Sequence, residues 1–320
     1  MRVGIDIMGG DFAPRATTLG SILAQKALPA DVKLVLFGDQ NAIIPILEEA
    51  GEDPSLYSIH HCTEVIEMHD HPAKSFAGKS DSSIVQGFAH LKAGQIDAFS
   101  SAGSTGAMMV GAMMAIQPVP GIIRPTITAV FPTINGGNCI LLDVGLNADV
   151  KPDVMYQYGI LGSMYASHVF SVSNPRVALL NIGSEESKGN LFTKACHEQM
   201  KGSQDFNFIG NIEPNEILFG HADVVVTDGF TGNIVLKQAE GFFKAMKKRK
   251  INDDFFERFN YENHGGTPVL GINAAVCIGH GISNDIAIKN MILHSYEVAK
   301  SGLSKHLSAI FEQKLTSGTE

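Results

Sequence analysis

A chain of 320 residues that is 44% hydrophobic and 18% charged can bury a large core, which excludes a disordered polypeptide. A formal net charge of −9 gives no reason to expect a nucleic-acid surface, and no apolar run approaches the roughly 18 residues that span a bilayer. Cys62, Cys139, Cys196 and Cys277 are scattered without a C-x-x-C pair, so neither a disulfide framework nor a zinc cluster is expected. Asp6 and Asp11 interrupt the stretch that a leader peptide would keep apolar, and the expected location is the cytoplasm.

Short β-rich runs alternate with longer helical patterns along the chain. Strands are predicted at 2–8, 33–37, 98–100, 127–131, 139–144, 176–182, 206–209 and 223–227. Helices are predicted at 14–27, 41–50, 82–93, 105–115, 152–168, 188–200, 233–247 and 286–301. Runs such as CILLDV and RVALLNI are almost continuously apolar, as strands are when helices cover both faces. The alternation predicts an α/β fold, a three-layer α/β/α sandwich with a mainly parallel sheet. Residues 118–145 depart from it, since two strands there are separated only by TINGGN, a hairpin signal. With no linker or repeat, residues 1–320 read as a single, lobed domain.

The strand ends share a chemistry. Met8-Gly9-Gly10-Asp11, Ala102-Gly103-Ser104-Thr105-Gly106, Asp143-Val144-Gly145-Leu146-Asn147, Gly183 to Asn190, Gly210-Asn211 and Asp228-Gly229-Phe230-Thr231-Gly232-Asn233 each follow an apolar run. In parallel sheets such ends line the crevice where ligands bind. Glycine lets backbone N–H groups approach an anion, and a helix N-terminus adds partial positive charge. The same residues are also ordinary strand-to-helix punctuation, with Ser104, Thr231 or Asn233 serving as caps. Six such loops on one edge favour a crevice for an anion, most simply phosphate. G-x-G-x-x-G after a strand, G-x-x-x-x-G-K-[ST], G-x-S-x-G and H-E-x-x-H are all absent. His280 stands five residues before Asp285, the H-x-x-x-x-D spacing of glycerolipid acyltransferases, or it is a histidine that braces the interior.

DIMGGDFAP, SSAGSTGAMM, LLDVGLNADV, VALLNIGSEESKGN, IGNIEPNEI and VVTDGFTGNIVLKQAEG together make the chain resemble the bacterial phosphate acyltransferases of phospholipid synthesis, from Met1 to about Ser301. Ser104 stands where the family usually has asparagine, and Pro214-Asn215-Glu216 stands where it tends to have an Arg-Asp pair. The resemblance implies a fold similar to the phosphate acetyltransferases and the isocitrate and isopropylmalate dehydrogenases, in a homodimer. It implies transfer of a long-chain acyl group from acyl carrier protein to inorganic phosphate, ahead of a glycerol-3-phosphate acyltransferase. The alternatives are a short-chain phosphate acetyltransferase using coenzyme A, a dehydrogenase on the related fold, and a non-catalytic scaffold for carrier protein or lipid.

No cofactor and no metal are expected, and that chemistry requires no serine or cysteine nucleophile, because the phosphate dianion is a nucleophile and a thioester is already activated. The protein must position phosphate, stabilise the oxyanion and help the thiolate leave. Lys188 is the candidate charge for phosphate or oxyanion; otherwise it is a solvated lysine opening a helix. The loop with Gly229, Thr231, Gly232 and Asn233 is the expected phosphate cradle. Asp228 orients Lys188 or takes a proton from phosphate, unless it is only a cap. Asp6, Gly9, Gly10, Asp11, Gly103, Ser104, Thr105, Gly106, Asn147 and Asn211 are expected to shape the crevice, with His280 toward the acyl or pantetheine end.

The one charge anomaly is a basic amphipathic segment at about 242–261, where five of the seven residues 244–250 are basic among phenylalanines. It suits an anionic membrane on the inner face, the acidic acyl carrier protein, or an amphipathic hairpin packed in a dimer.

Overall fold

The computed structural model describes residues 1–317. Along the chain the strands are β1 (Arg2–Asp6), β2 (Lys33–Gly38), β3 (Ser58–His61), β4 (Ala98–Ser101), β5 (Thr126–Pro132), β6 (Asn138–Leu142), β7 (Arg176–Leu180), β8 (Asn207–Ile212), β9 (Val224–Val226), β10 (Gly266–Leu270) and β11 (Ala275–Gly279). The helices are α1 (Arg15–Ala27), α2 (Gln40–Glu49), α3 (Pro72–Gly78), α4 (Ser83–Lys92), α5 (Thr105–Gly111), α6 (Pro152–Phe170), α7 (Leu191–Met200), α8 (Gly229–Lys248), α9 (Asp254–Glu257), α10 (Tyr261–His264), α11 (Asp285–Lys300) and α12 (Leu303–Ser317). The chain divides into two compact units, Met1–Pro118 with Tyr261–Ser304, and Val119–Asn260 with the segment from Lys305 onward.

The first unit carries strands in the order β3-β2-β1-β4-β11-β10, parallel except for β10 against β11. Successive residues of a strand point to opposite faces, so neighbouring Phe99 and Ser100 of β4 read out the two sides. Phe99 closes on Gly87 of α4, and α4 lies against β1, β2 and β4. Ser100 is in register with Cys277, which meets Ser295 of α11, and α11 in turn packs on α1. Val3, Ile5, Leu36, Phe88, Phe99 and Ile288 are buried completely, which makes this sandwich a closed core.

α11 also carries His294, whose pKa is pulled down to about 4 by burial and then by the charge of His264. A histidine lowered in the folded state stays neutral there while the unfolded chain takes up a proton, so stability falls as pH drops from about 6.5 toward 4. Denaturant midpoints across that window should show a loss on the order of 2–3 kcal/mol in the wild type, much of it removed in His294→Gln. Equal pH slopes in the two proteins would assign the loss to other groups.

The second unit orders its strands β5-β6-β9-β7-β8, parallel except for the β5–β6 hairpin, where Thr128 faces Leu142 and Pro132 faces Asn138. Val224, Val225 and Val226 are wholly buried, as the middle strand of a covered sheet requires. Gly162 of α6 sits against Val224 and Leu142 on one face, whereas Leu141 and Val225 on the other join a cluster with Ile217, Leu236 and Phe259. Each unit thus has the mainly parallel, helix-covered sheet that the alternation predicts.

Several elements differ from the sequence reading. β3, β10 and β11, the short helices α3, α9 and α10, and all of α12 are additional. The polar SIHH of β3 leaves every side chain at least partly exposed, so it lacks the apolar signal of a covered strand. β10 and β11 hide among the glycines and Pro268 of GGTPVLGINAAVCIG, which read as turn signals. α5 continues into a π-helical turn at Ala112–Ile116. α7 begins at Leu191 rather than at 188, because Asn190 caps it, and α8 begins at Gly229 rather than at 233.

Candidate active site

The glycine-bearing strand ends fall in two groups, one in each unit. In the first unit they lie at the carboxyl ends of the parallel strands β1, β4 and β11. The Asp6 carboxylate is buried; its Oδ1 accepts from the Met8 amide at 2.9 Å and its Oδ2 from the Ser101 hydroxyl at 2.6 Å. Ser101 Oγ in turn accepts from the Gly103 amide at 2.9 Å. Burial raises the Asp6 pKa above the usual carboxylate range, while Ser101, Ser83 and the Met8 and Gly9 amides pull the other way. Asp6 is therefore the brace that holds two loops together.

Gly9 makes that approach possible, since a Cβ there would stand 2.6 Å from the Gly103 nitrogen. Gly10 adopts φ 110°, and the Asp11 amide donates to the Gly281 carbonyl at 2.7 Å. That bond ties the loop to the turn bearing His280, an exposed ring set edge-on to Tyr261 at 5.5 Å. Ser104 is buried and caps α5, accepting from Ala107 N at 3.3 Å; Thr105 is exposed, and Gly106 packs against Pro72.

In the second unit the predicted residues lie around the carboxyl ends of β6, β7, β8 and β9. Asp143 is fully buried and accepts from the Gly145, Leu146 and Asn147 amides at 3.1, 3.0 and 2.7 Å, and from Asn147 Nδ2 at 2.9 Å. Asn147 Nδ2 also donates to the Pro125 carbonyl and the Tyr158 hydroxyl, each at 2.8 Å, so this loop is fixed from several sides. Its carbonyl accepts the Gly229 amide at 2.8 Å. Asp228 caps α8: Oδ1 accepts from Thr231 N and Oδ2 from Thr231 Oγ1, both at 2.8 Å. Asn233 lies beside Gly145.

DGFTGN is consequently not a loop but a cap and the first turn of a twenty-residue helix. The amides of Gly229, Thr231 and Gly232 donate to Asn147 O, Asp228 Oδ1 and Asp228 O, so they are engaged within the fold rather than presented as a cradle. What this turn offers is its place beside a cavity of about 460 Å³ lined by Asp149, Asn190, Phe192, Asp228, Phe230 and Thr231. Two capped helix starts, at Asn190 and at Asp228, border that space.

Lys188 is exposed on the loop two residues before Asn190, and Asn181 Nδ2 donates to its carbonyl at 3.3 Å. Asn211 lies within β8, not in a loop after it. Its Oδ1 meets His197 Nδ1 at 2.9 Å and its Nδ2 donates to the Glu185 carbonyl at 2.9 Å, so it supports the loop that carries Lys188. Cys196, in α7, is buried, and burial followed by the Asp228 charge pushes its thiol up to about 12, which removes it as a nucleophile. Asn190 and Phe230 lay in loops expected to line the crevice but were given no role, and Asp149 and Phe192 were missed. Asn190 left a trace in Gly-Asn ahead of an apolar helix, the usual form of a cap.

The fold is of the phosphotransacetylase kind. The chain aligns with the EutD phosphotransacetylase from Staphylococcus aureus at a TM-score of 0.63 and 14% identity, covering 93% of this chain and 94% of that one. Residues 1–306 match the family model described as "Fatty acid synthesis protein". The chain is 40% identical over 327 residues to a phosphate acyltransferase of Desulfitobacterium hafniense, covering 96% of each. It is 39% identical over 340 residues to one of Bacillus pumilus, covering 100% of this chain and 99% of the relative. The chain belongs to the phosphate acyltransferase family, and it is an enzyme.

Proposed function

We propose that the enzyme moves a long-chain acyl group from the thioester of acyl carrier protein to inorganic phosphate, releasing acyl-phosphate and free carrier in an early step of phospholipid synthesis. The observation that carries this reading is the near-full-length match to enzymes named phosphate acyltransferase. The polar cavity between the Asn190 and Asp228 caps supports it, because a helix start favours negative charge. Asp149 and Asp228 also line that cavity, so a phosphate dianion there needs a counter-charge. Lys188, two residues before Asn190 on the loop whose Lys188 and Glu185 carbonyls accept from Asn181 and Asn211, is the residue we assign to that task.

In the proposed step a phosphate oxygen attacks the thioester carbonyl, the new C–O bond forms, and the C–S bond breaks as the tetrahedral oxyanion collapses. The proton of the monohydrogen phosphate passes to the departing thiolate, with Asp228 as its relay. Lys188 and the α7 start offset the negative charge that builds on the oxyanion. Asp6, Gly9, Gly10, Asp11, Gly103, Ser104, Thr105, Gly106 and His280 belong, in this reading, to substrate binding in the first unit.

We place the enzyme in the cytoplasm as a homodimer, in peripheral contact with the anionic inner face of the membrane and ahead of a glycerol-3-phosphate acyltransferase. No helix among the described residues is long and apolar enough to cross a membrane. Phe242 is 63% exposed on a helix that ends in Lys247 and Lys248, a surface that favours anionic lipid or an acidic carrier. Within the basic run Lys247 is paired with Glu257 at 2.7 Å.

The phosphotransacetylase fold keeps one rival, acetyl transfer from coenzyme A. A panel of acyl thioesters separates the two. Phosphate-dependent release of free carrier from palmitoyl carrier protein is expected, and a preference for acetyl-coenzyme A would overturn the assignment.

A further inference from the structure

β5 is the strand of the second unit that runs against the others, so its beginning, not its end, arrives where β6, β9 and β7 finish. The pairing continues beyond the strands, since the Val144 amide donates to the Ile127 carbonyl at 3.3 Å. Carried a few residues further, that register sets Arg124 opposite the 145–147 loop. There Arg124 Nη1 donates to Asn147 Oδ1 at 3.4 Å. A bond of that length is weak, so the guanidinium leaves it at little cost. The residues that follow Asn147, Ala148 and Asp149, already line the polar cavity.

Asn147 is built to hold this arginine. Its Nδ2 is committed to Asp143, the Pro125 carbonyl and the Tyr158 hydroxyl, which turns Oδ1 toward the guanidinium. The Arg124 charge is felt at the buried Tyr158 hydroxyl, where it opposes the upward push of burial and then of Asp143. Elsewhere Arg15 is paired with Glu49, Arg176 is paired with Asp223, and Arg258 holds the carbonyls of Thr133 and Gly137. Arg124 is exposed, and among the described residues it takes part in no ion pair.

The cavity calls for such a charge. Asp149 and Asp228 line it, and a phosphate dianion adds to a negative charge that Lys188 alone does not balance. A guanidinium suits a tetrahedral oxyanion better than an ammonium does, because its planar fork donates two parallel hydrogen bonds. We propose that Arg124 is the second cation of this site, exchanging Asn147 Oδ1 for two oxygens of inorganic phosphate and setting the affinity for that substrate. The inference rests on the acyl-transfer reading above, and it gives Asn147 a task, to hold the guanidinium at the rim. The phosphodiester of the carrier's pantetheine arm offers the same oxyanion chemistry, and the assays below separate the two.

Arg124→Gln removes the charge and keeps polarity, and Arg124→Lys keeps the charge without the fork. With palmitoyl carrier protein, the KM for phosphate is expected to rise about 10- to 100-fold in Arg124→Gln, the worth of hydrogen bonds to a charged group. Arg124→Lys should fall between, about 3- to 10-fold above the wild type. The KM for the carrier thioester stays within about twofold in both, since neither change touches the acyl donor. Titration calorimetry with inorganic phosphate alone, which needs no turnover, is expected to show the same ratios. Denaturation midpoints stay at the wild-type value because the side chain is exposed.

An unchanged phosphate KM would overturn the proposal, and so would a rise in the carrier KM in its place, which would put Arg124 on the pantetheine phosphodiester. A lowered midpoint with phosphate affinity kept would also sink it, reducing Arg124 to a prop for Asn147. Phosphate that binds the wild type and weakens in Arg124→Gln, with no acyl group transferred, would refute the function and leave the anion assignment standing. Phosphate-dependent transfer from the long-chain thioester, with equal phosphate affinity in the two proteins, would do the reverse.

Discussion

Gly232→Ala is expected to destabilise the enzyme by about 2–3 kcal/mol and to abolish most turnover, although alanine is the better helix former. The reason is a contact the sequence alone does not display. A Cβ at Gly232 would press on the carbonyl of Asp143, whose carbon would stand 3.0 Å away, with Thr227 Cγ2 at the same distance. Neither neighbour can yield cheaply. Asp143 is locked by four hydrogen bonds to the 145–147 loop, and Thr227 exchanges backbone bonds with Leu142 and Asp143. Gly241 is the matched control in the same helix, since a Cβ there meets nothing within 4 Å. Gly241→Ala should gain up to about 1 kcal/mol. Denaturant midpoints of the two variants read the comparison directly, and equal stability would mean that the first turn of α8 does not rest on Asp143.

Lys188→Ala is expected to lower kcat by about 100- to 1000-fold, the usual cost of removing one group that stabilises developing negative charge. The side chain is exposed, so the denaturation midpoint should not move. Asp228→Asn makes the companion test. Asparagine caps a helix about as well as aspartate, which holds α8 in place while removing the proton acceptor. A large loss of turnover with stability kept within about 0.5 kcal/mol supports the relay. Wild-type rates in both variants would reduce Asp228 to the cap that its hydrogen bonds to Thr231 already describe, and would remove Lys188 from the chemistry.

The parts of the fold legible in the sequence were those whose signal is local. VVV of β9 and CILL of β6 are buried on both faces and announce themselves by composition, and TINGGN marked the hairpin correctly. β3 escaped because His60 and His61 make it polar, and β11 because glycines flank a five-residue strand. Site residues followed the same division. Asp228, Thr231 and the glycines stood out as a strand-to-helix signal, but their engagement with Asn147 depends on a contact more than eighty residues distant in the chain. Asn211 looked like a loop residue; only the pairing of Leu179 with Asn211 puts it inside β8. The apolar face beside α8 was legible only as a phenylalanine-rich stretch, because Ile217 and Phe131 join it from elsewhere in the chain.

β11 stands between β4 and β10, although some 170 residues separate it from β4 and the whole of Val119–Asn260 intervenes. A nascent chain therefore emerges from the ribosome with β4 lacking its neighbour until translation is nearly complete. The intervening sheet, by contrast, has all five of its strands in hand by residue 226. Synthesis order thus gives the later segment the first chance to fold, and leaves the earlier one with a bare sheet edge for chaperones to guard.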